Sequence, residues 1–260
     1  MTKAISLAHE LSQDTLLDLS EGRIDVIWHH KFYPSESCQT AMPKIVEACE
    51  AANYTLTGDL QSLGTSIGEA SESEVAQSRY LDTAQHTTTQ IRDDIFGRLA
   101  APADLVRLRC DEWWPAGVTL ARYEGRQMLA SIVRRWVKGG HANPHIDQKS
   151  VPLLDEYRLE RRIGVNVYLE TPPADGGGEV DFWHSFTDES QYMSIKRQDY
   201  GIDRENLGEP LLSIHPEQGD LVMFDAARVH GVRRLTSGSR ITAACFLGVR
   251  STRDPIVVFA

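Results

Sequence analysis

Cysteine is scarce in this 260-residue chain: Cys38, Cys49, Cys110 and Cys245 stand far apart and form no CxxC pair. That spacing argues against a disulfide framework and against a thiolate zinc site, and it fits a reducing, cytoplasmic setting. Positive charge is short as well. Twenty-seven Lys and Arg face 37 Asp and Glu, a net charge of −10. Phosphate backbones are held by basic faces, so nucleic acid is not an expected partner. Arg134-Arg135 with Lys138 is too small a cluster to reverse that. No apolar run approaches the roughly 20 residues that span a bilayer, so no membrane partner is expected. Met1 to Leu19 mixes His9, Glu10, Asp14 and Asp18 among its apolar residues, which is not the pattern of a secretory leader. There is no internal repeat and no low-complexity tract. Gly176-Gly177-Gly178 is followed by no Lys-Ser/Thr, so it is not a phosphate loop.

What is present is ordinary globular chemistry. A hydrophobic content of 41% supplies enough apolar side chain for one large domain over 1–260. Residues 1–116 read as mainly helical support. Arg23 to Trp28 is a short strand by its alternation. From Ser35, the residues Cys38, Met42, Ile45, Val46 and Cys49 follow helical spacing, with Pro43 predicting a start near Thr40 or a kink. Residues 58–78, rich in Gly, Ser and Glu, predict a mobile loop. Ile91, Ile95 and Leu99 predict a helix over Thr89–Ala100. From about Gly117 the pattern changes to short runs of β-branched and aromatic residues between turns. These are Val118–Tyr123, Met128–Val137, Ile163–Leu169, Glu179–Trp183, Leu211–His215, Asp220–Phe224, Arg240–Val249 and Ile256–Phe259. They predict a mainly β fold with flanking helices, a jelly roll or barrel over 117–260. The polar stretch 184–210 reads as a lid-like insertion at one rim.

Within the β half lie the residues that carry chemistry. His145-Ile146-Asp147 places an imidazole and a carboxylate two apart, on one face if the segment is a strand. Pro144 fixes the approach. His230 follows Leu221-Val222-Met223-Phe224, a buried-type strand, and adds a second imidazole. Two His and one carboxylate are the facial triad of non-heme iron, with positions left open for a chelating acid and for dioxygen. Arg240 and Thr242 alternate on one face of the apolar strand Arg240–Val249. A lone inward Arg needs an anion, because a buried unpaired charge is costly. A carboxylate gripped bidentately satisfies it, and Thr242 adds a hydroxyl.

The order HxD, then a distant His, then Arg-x-Thr resembles the Fe(II)/2-oxoglutarate-dependent dioxygenase superfamily. Gly177-Gly178-Glu179 and the run from Pro216 to Phe224 are similar to turns and strands common there. The resemblance implies a double-stranded β-helix. It implies that His145, Asp147 and His230 bind Fe(II) and that Arg240 and Thr242 bind the distal carboxylate of 2-oxoglutarate. With O2, an unactivated C–H bond would be hydroxylated and succinate and CO2 released. The strand, the Tyr33-Pro34 step and the helix of the first half resemble carrier-independent members acting on free or N-modified amino acids and small alkaloids. Related halogenases carry Gly or Ala where this chain has Asp147, so a hydroxylase is implied.

Substrate contacts are expected from His141 and Asn143 near the mouth, from Asn166 and Tyr168 on one strand face, and from Trp183 as a wall. Arg158, Arg161 and Arg162 can hold a substrate carboxylate but sit where charges are usually solvated. His29-His30 has no matching carboxylate in the nearby sequence and reads as surface. Three rivals stay open: a desaturase, epimerase or cyclase on the same scaffold, a cupin-type metal enzyme without 2-oxoglutarate, and a binding module that has kept the fold. The partner is a small molecule, and the protein a monomer or homodimer.

Overall fold

The computed structural model describes residues 4–52, 59–147, 150–186, 189–197 and 200–260. The large sheet is built from β1 (Leu7–Ala8), β2 (Val26–His29), β3 (Leu60–Leu63), β4 (Val118–Leu120), β7 (Ile132–Trp136), β9 (Arg161–Glu170), β12 (Leu221–Asp225), β14 (Arg240–Val249) and β15 (Ile256–Phe259). Its order is β1-β2-β12-β9-β14-β15-β4, and β7 and β3 continue from the first half of β14. The small sheet is β11-β10-β13-β8, from β8 (Ala142–His145), β10 (Val180–Ser185), β11 (Leu212–Ile214) and β13 (Arg228–Val232). A hairpin, β5 (Arg122–Tyr123) with β6 (Arg126–Gln127), stands apart.

Alternation along the strands sorts side chains into two layers. One face of the large sheet, with Ile163, Val165, Val167, Leu221, Met223, Ile241 and Ala243, packs on the helices of the first half in the main core. The other face looks at the small sheet. There Val26, Tyr168, Val222 and Phe224 meet Val180, Phe182 and Ile214 in a second, thinner core. The Phe182 and Phe224 rings touch edge-on at 5.4 Å between centroids and join the two sheets. This is the two-sheet jelly roll the strand pattern predicted.

Turn chemistry fixes the sheets. In Gly219-Asp220, Gly219 takes φ +91, and a Cβ there would lie 2.4 Å from the Tyr33 carbonyl oxygen. Buried Asp220 accepts from the Trp28 indole N–H at 2.7 Å and from the backbone N–H groups of Lys31 and Glu217. It also faces His30 Nδ1 at 3.2 Å. The His29-His30 pair therefore does have a carboxylate, one that folding delivers from far along the chain. His29 is itself tied down, its Nδ1 accepting from the Leu11 N–H.

The first half departs most from expectation. The helix predicted from Thr40, or kinked at Pro43, starts at Ser35 and runs as α2 (Ser35–Ala51), with Pro43 on its exposed side. The predicted loop 58–78 is structured wherever it is described, residue 58 lying outside the described residues. It contributes β3, then α3 (Ile67–Ala70), whose N-cap Ser66 and Glu69 form a capping box. Then α4 (Glu74–Thr89) begins, capped by Ser73. Helix therefore starts fifteen residues before the predicted Thr89. It widens into a π turn over Gln90–Phe96, and Gly97 at φ +56 ends it. The periodic Ile91 and Ile95 belong to that last turn. The π turn leads to α5 (Pro102–Trp113). Among the described residues, no helix is long and apolar enough to cross a membrane.

Candidate active site

The site sits between the sheets, and each sheet supplies one part of it. His145 ends β8 and His230 lies on β13, directly opposite in register. Their rings are 4.3 Å apart. Asp147 lies just past the end of β8 rather than on it, in a bend held by its N–H to the Ala226 carbonyl at 2.9 Å. The bend aims the carboxylate back: Oδ1 lies 3.5 Å from His145 Nε2, and Oδ2 lies 3.3 Å from His230 Nε2. One ligand atom from each of the three falls within 4.8 Å of the others.

The two imidazoles are oriented in the same way. His145 Nδ1 is 2.8 Å from the Asn143 carbonyl, and His230 Nδ1 is 2.9 Å from the Arg228 carbonyl. A carbonyl only accepts, so each Nδ1 carries the proton and each Nε2 keeps its lone pair for a metal. Burial would raise the Asp147 carboxyl's pKa. It is outweighed by Arg134 and by the positive charge at His145 and His230 whenever these carry a second proton, which holds the carboxyl well below the carboxylate range. The donor set is two neutral nitrogens and one anionic oxygen, all aimed at one point, and it fits a divalent iron.

Facing it on the large sheet are Arg240 and Thr242, 4% and 2% exposed. Arg240 donates to the Tyr168 hydroxyl at 3.2 Å, with its guanidinium carbon 5.0 Å from the centre of that ring. Arg240 Nε is buried with no hydrogen-bond partner, and no carboxylate pairs with Arg240 among the described residues. A buried cation left in this state fits an incoming carboxylate. Tyr168 thus stands next to Arg240, on the large-sheet side of the site. Its hydroxyl stays protonated, because burial raises its pKa more than Arg240 lowers it.

The other candidates separate. Asn143 Nδ2 donates to the Tyr200 carbonyl, and its own backbone carbonyl orients the His145 ring. His141 sits near the start of β8, with Nδ1 at the Gly139 carbonyl and Nε2 3.4 Å from Arg234. It stands four residues before His145, roughly 13 Å along extended backbone, which keeps it away from the triad. Asn166 shares the Tyr168 face and is partly buried. Trp183 is 3% exposed and packs with Ile146, Tyr192, Ile202 and Val229. Its indole N–H donates to the Gly208 carbonyl. It is the footing of the 184–210 insertion rather than an open wall. Of the arginine cluster, Arg162 is buried and Arg161 pairs with Asp225, so neither is a solvated charge.

The insertion itself crosses the site. Residues 187–188 and 198–199 lie outside the described residues; the rest forms α6 (Glu189–Ile195) and a turn at Arg204–Asn206. Arg204 pairs with buried Asp181 at 2.6 Å and lies over the Trp183 ring. Gly201, at φ +72, lies against β8, where a Cβ would come within 2.6 Å of Asn143 Cβ. The Ile202 N–H donates to the Pro144 carbonyl at 2.7 Å. These anchors put the Tyr200 ring 4.9 Å from His145.

Three neighbours of the triad went unrecognised in the sequence: Tyr200, Arg134 and Glu69. At Arg134 the sequence gives the strand face and no more. Alternation within Ile132-Val133-Arg134-Arg135-Trp136 puts it on the same strand face as Trp136, which stands opposite Arg240.

Comparison with known proteins agrees with this geometry. Residues 131–248 match the family model of the 2OG-Fe(II) oxygenase superfamily. An L-isoleucine 3(1)-dioxygenase of Pantoea ananatis (strain AJ13355) is 30% identical over 146 residues, covering 52% of this chain and 49% of that protein. The chain is thus aligned with about half the length of this curated relative. The fold is that of an N-substituted L-amino acid dioxygenase from Burkholderia ambifaria AMMD, at TM-score 0.64 and 16% identity over all of both chains. A second structure of that enzyme, in complex with alpha-KG, gives TM-score 0.61 and 14% identity, again over all of both chains. The segment similar to the 2OG-Fe(II) oxygenase superfamily, 131–248, is the one that carries the triad and the buried arginine.

Proposed function

We propose that this protein is an Fe(II)/2-oxoglutarate-dependent dioxygenase that hydroxylates an amino acid or an amino-acid-derived small molecule. The carrying observation is the pairing of two half-sites across the sheets. Three convergent donors, two on the small sheet and one just past its edge strand, face a buried arginine, without a carboxylate partner among the described residues, on the large one. His145, Asp147 and His230 would hold the iron, and Arg240, Thr242 and Tyr168 the distal carboxylate of 2-oxoglutarate. When bound, iron and the oxoacid supply oxidising power from O2, with succinate and CO2 as co-products.

The chain's own residues do the rest. Asn143 and Arg228 fix the imidazole tautomers through their carbonyls. Tyr168 keeps its proton and donates to the carboxylate that Arg240 neutralises. Asp147 fills the third protein position, which supports hydroxylation over halide transfer. The insertion 184–210, clamped by Asp181–Arg204 and the Trp183 indole, acts as a cover that brings Tyr200 over His145 and excludes water. An amino-acid substrate is supported by the Pantoea relative and the Burkholderia fold neighbour, whose names state such substrates. The four buried thiols are free, in keeping with a reducing, cytoplasmic setting.

The test is anaerobic addition of 2-oxoglutarate to the iron-loaded protein, followed by air and an amino-acid panel. A visible charge-transfer band and substrate-dependent succinate release are expected. Iron loading without either would overturn the assignment.

A further inference from the structure

The inner face of the large sheet carries a second arginine. Thr242 stands opposite Tyr168 on β9 and opposite Arg134 on β7, and Arg134 stands opposite Ser62 on β3. Directly opposed residues share a face. Arg134 therefore lies in one row with Thr242 and Tyr168, one step along from the row of Trp136 and Arg240. It differs from Arg240 in depth. The Arg134 side chain is 31% exposed, whereas Arg240 is buried. The Arg134 Nε is buried with no hydrogen-bond partner.

A carboxylate waits beside it without closing on it. The Ser66–Glu69 capping box projects Glu69 toward the sheet, where its Oε2 lies 4.0 Å from Arg134 Nη2, beyond hydrogen-bond reach. The Ser66 N–H and hydroxyl also use Oε2, so the other oxygen is left for a donor. Both charges belong to the triad's surroundings. Arg134 acts on Asp147, and Arg134 and Glu69 both act on the hydroxyl of Tyr200, whose ring lies against His145. A guanidinium and a carboxylate, half-buried and held just apart, present the complement of a molecule carrying a carboxylate and an ammonium on neighbouring atoms.

We propose that Arg134 and Glu69 recognise the zwitterionic head of a free α-amino acid, with Arg134 taking the carboxylate and Glu69 the ammonium. This rests on the oxygenase reading above and narrows its substrate to an amino acid with an unmodified nitrogen. Acylation of that nitrogen would remove the cation and leave Glu69 facing an amide. Burial already holds the Glu69 carboxyl above its ordinary pKa, so an arriving cation relieves an incompletely compensated charge.

The experiment is calorimetric titration of the full chain loaded with Mn(II) and 2-oxoglutarate without oxygen. Free L-amino acids are screened first, and the best binder is then compared with its N-acetyl derivative and its methyl ester. Wild type should lose about tenfold or more for each edit, the usual scale of a charged hydrogen bond. Glu69→Gln should erase the preference for the free amine but keep the loss on esterification. Arg134→Gln should do the reverse, with Arg134→Lys intermediate, and the 2-oxoglutarate affinity should not change in any variant. An N-acetyl derivative bound as tightly as the free acid would overturn the ammonium assignment. A weakened 2-oxoglutarate affinity in Arg134→Gln, with amino-acid affinity intact, would give Arg134 to the co-substrate. Equal losses for all three ligands would make the pair merely structural. Failure of every amino acid to bind while 2-oxoglutarate still binds sinks this proposal alone, whereas failure of 2-oxoglutarate to bind sinks the oxygenase reading.

Discussion

At the scale of the residue, the triad makes the sharpest claims. Asp147→Gly removes the anionic donor and leaves two neutral imidazoles. Mn(II) affinity measured by calorimetry should fall by at least about tenfold, the lower end for loss of metal-site partners, and hydroxylation should cease. Tyr168→Phe deletes one donor to the proposed oxoacid carboxylate and leaves Arg240 in place. The 2-oxoglutarate Kd should rise about tenfold, as for one hydrogen bond to a charged group, with metal affinity unchanged. Gly164 is a subtler position. A Cβ there would lie 2.7 Å from the Phe224 ring, which itself packs 4.4 Å from the His230 ring. Gly164→Ala should cost about 1–3 kcal/mol by overpacking and should disturb metal binding through His230, read as a lower Tm together with a weaker Mn(II) isotherm. His145, Asp147, His230 and Arg240 were legible in the chain because their residue types and order carry meaning by themselves. Arg134 was not. It acquires meaning only from standing opposite Thr242, a fact of register between strands far apart in sequence.

Elements show where pattern reading works and where it stops. Strands β9 and β14 were found nearly whole, because each is long and apolar and bounded by turn residues. The stretch 58–78 was misread because its Gly, Ser and Glu content resembles a loop. In fact the serines cap helices and Leu60 and Leu63 are buried on an edge strand. Capping boxes look polar in composition while being structural in function. The stretch 184–210 reads as a rim insertion by its polarity, but its anchors are invisible there, since Asp181, Trp183 and Pro144 lie outside it. Gly201 is the most sensitive of these anchors. Gly201→Ala would have to occupy φ +72 and push against the Pro144 carbonyl and Asn143. A local cost of about 1–3 kcal/mol is expected. Hydrogen exchange should quicken across α6 and the Arg204 turn while β9 and β14 stay protected. Unchanged exchange there would mean that the segment is held elsewhere.

The whole molecule has an acid limit that can be worked out. Burial pushes up the carboxyls of Asp25 and Asp181. Hydrogen bonds from Ser6 and the charge of Arg228 outweigh this at Asp25, and Arg233, Ser213 and Arg204 outweigh it at Asp181, so both end below the ordinary 3.8. The unfolded chain therefore takes up these protons first as pH falls. Their stabilisation is full above the ordinary value and drains away as pH drops through the lower folded values. Tm should be level near neutrality and fall steeply below about pH 4, the ordinary carboxylate range, with a shallower fall in Arg233→Gln.

The division of the site between two sheets has a mechanical result. The proposed metal-holding residues ride on the four-stranded sheet and just past its edge strand, the proposed oxoacid residues on the nine-stranded one, and Phe182 and Phe224 are the shims between them. An oxoacid held by Arg240 while it met a metal at the triad would work like a gauge block in a calliper whose jaws are the sheets. Thinning a shim, as in Phe182→Leu, should thus detune chelation at a distance: each partner would still bind alone, while the advantage of binding both together would shrink.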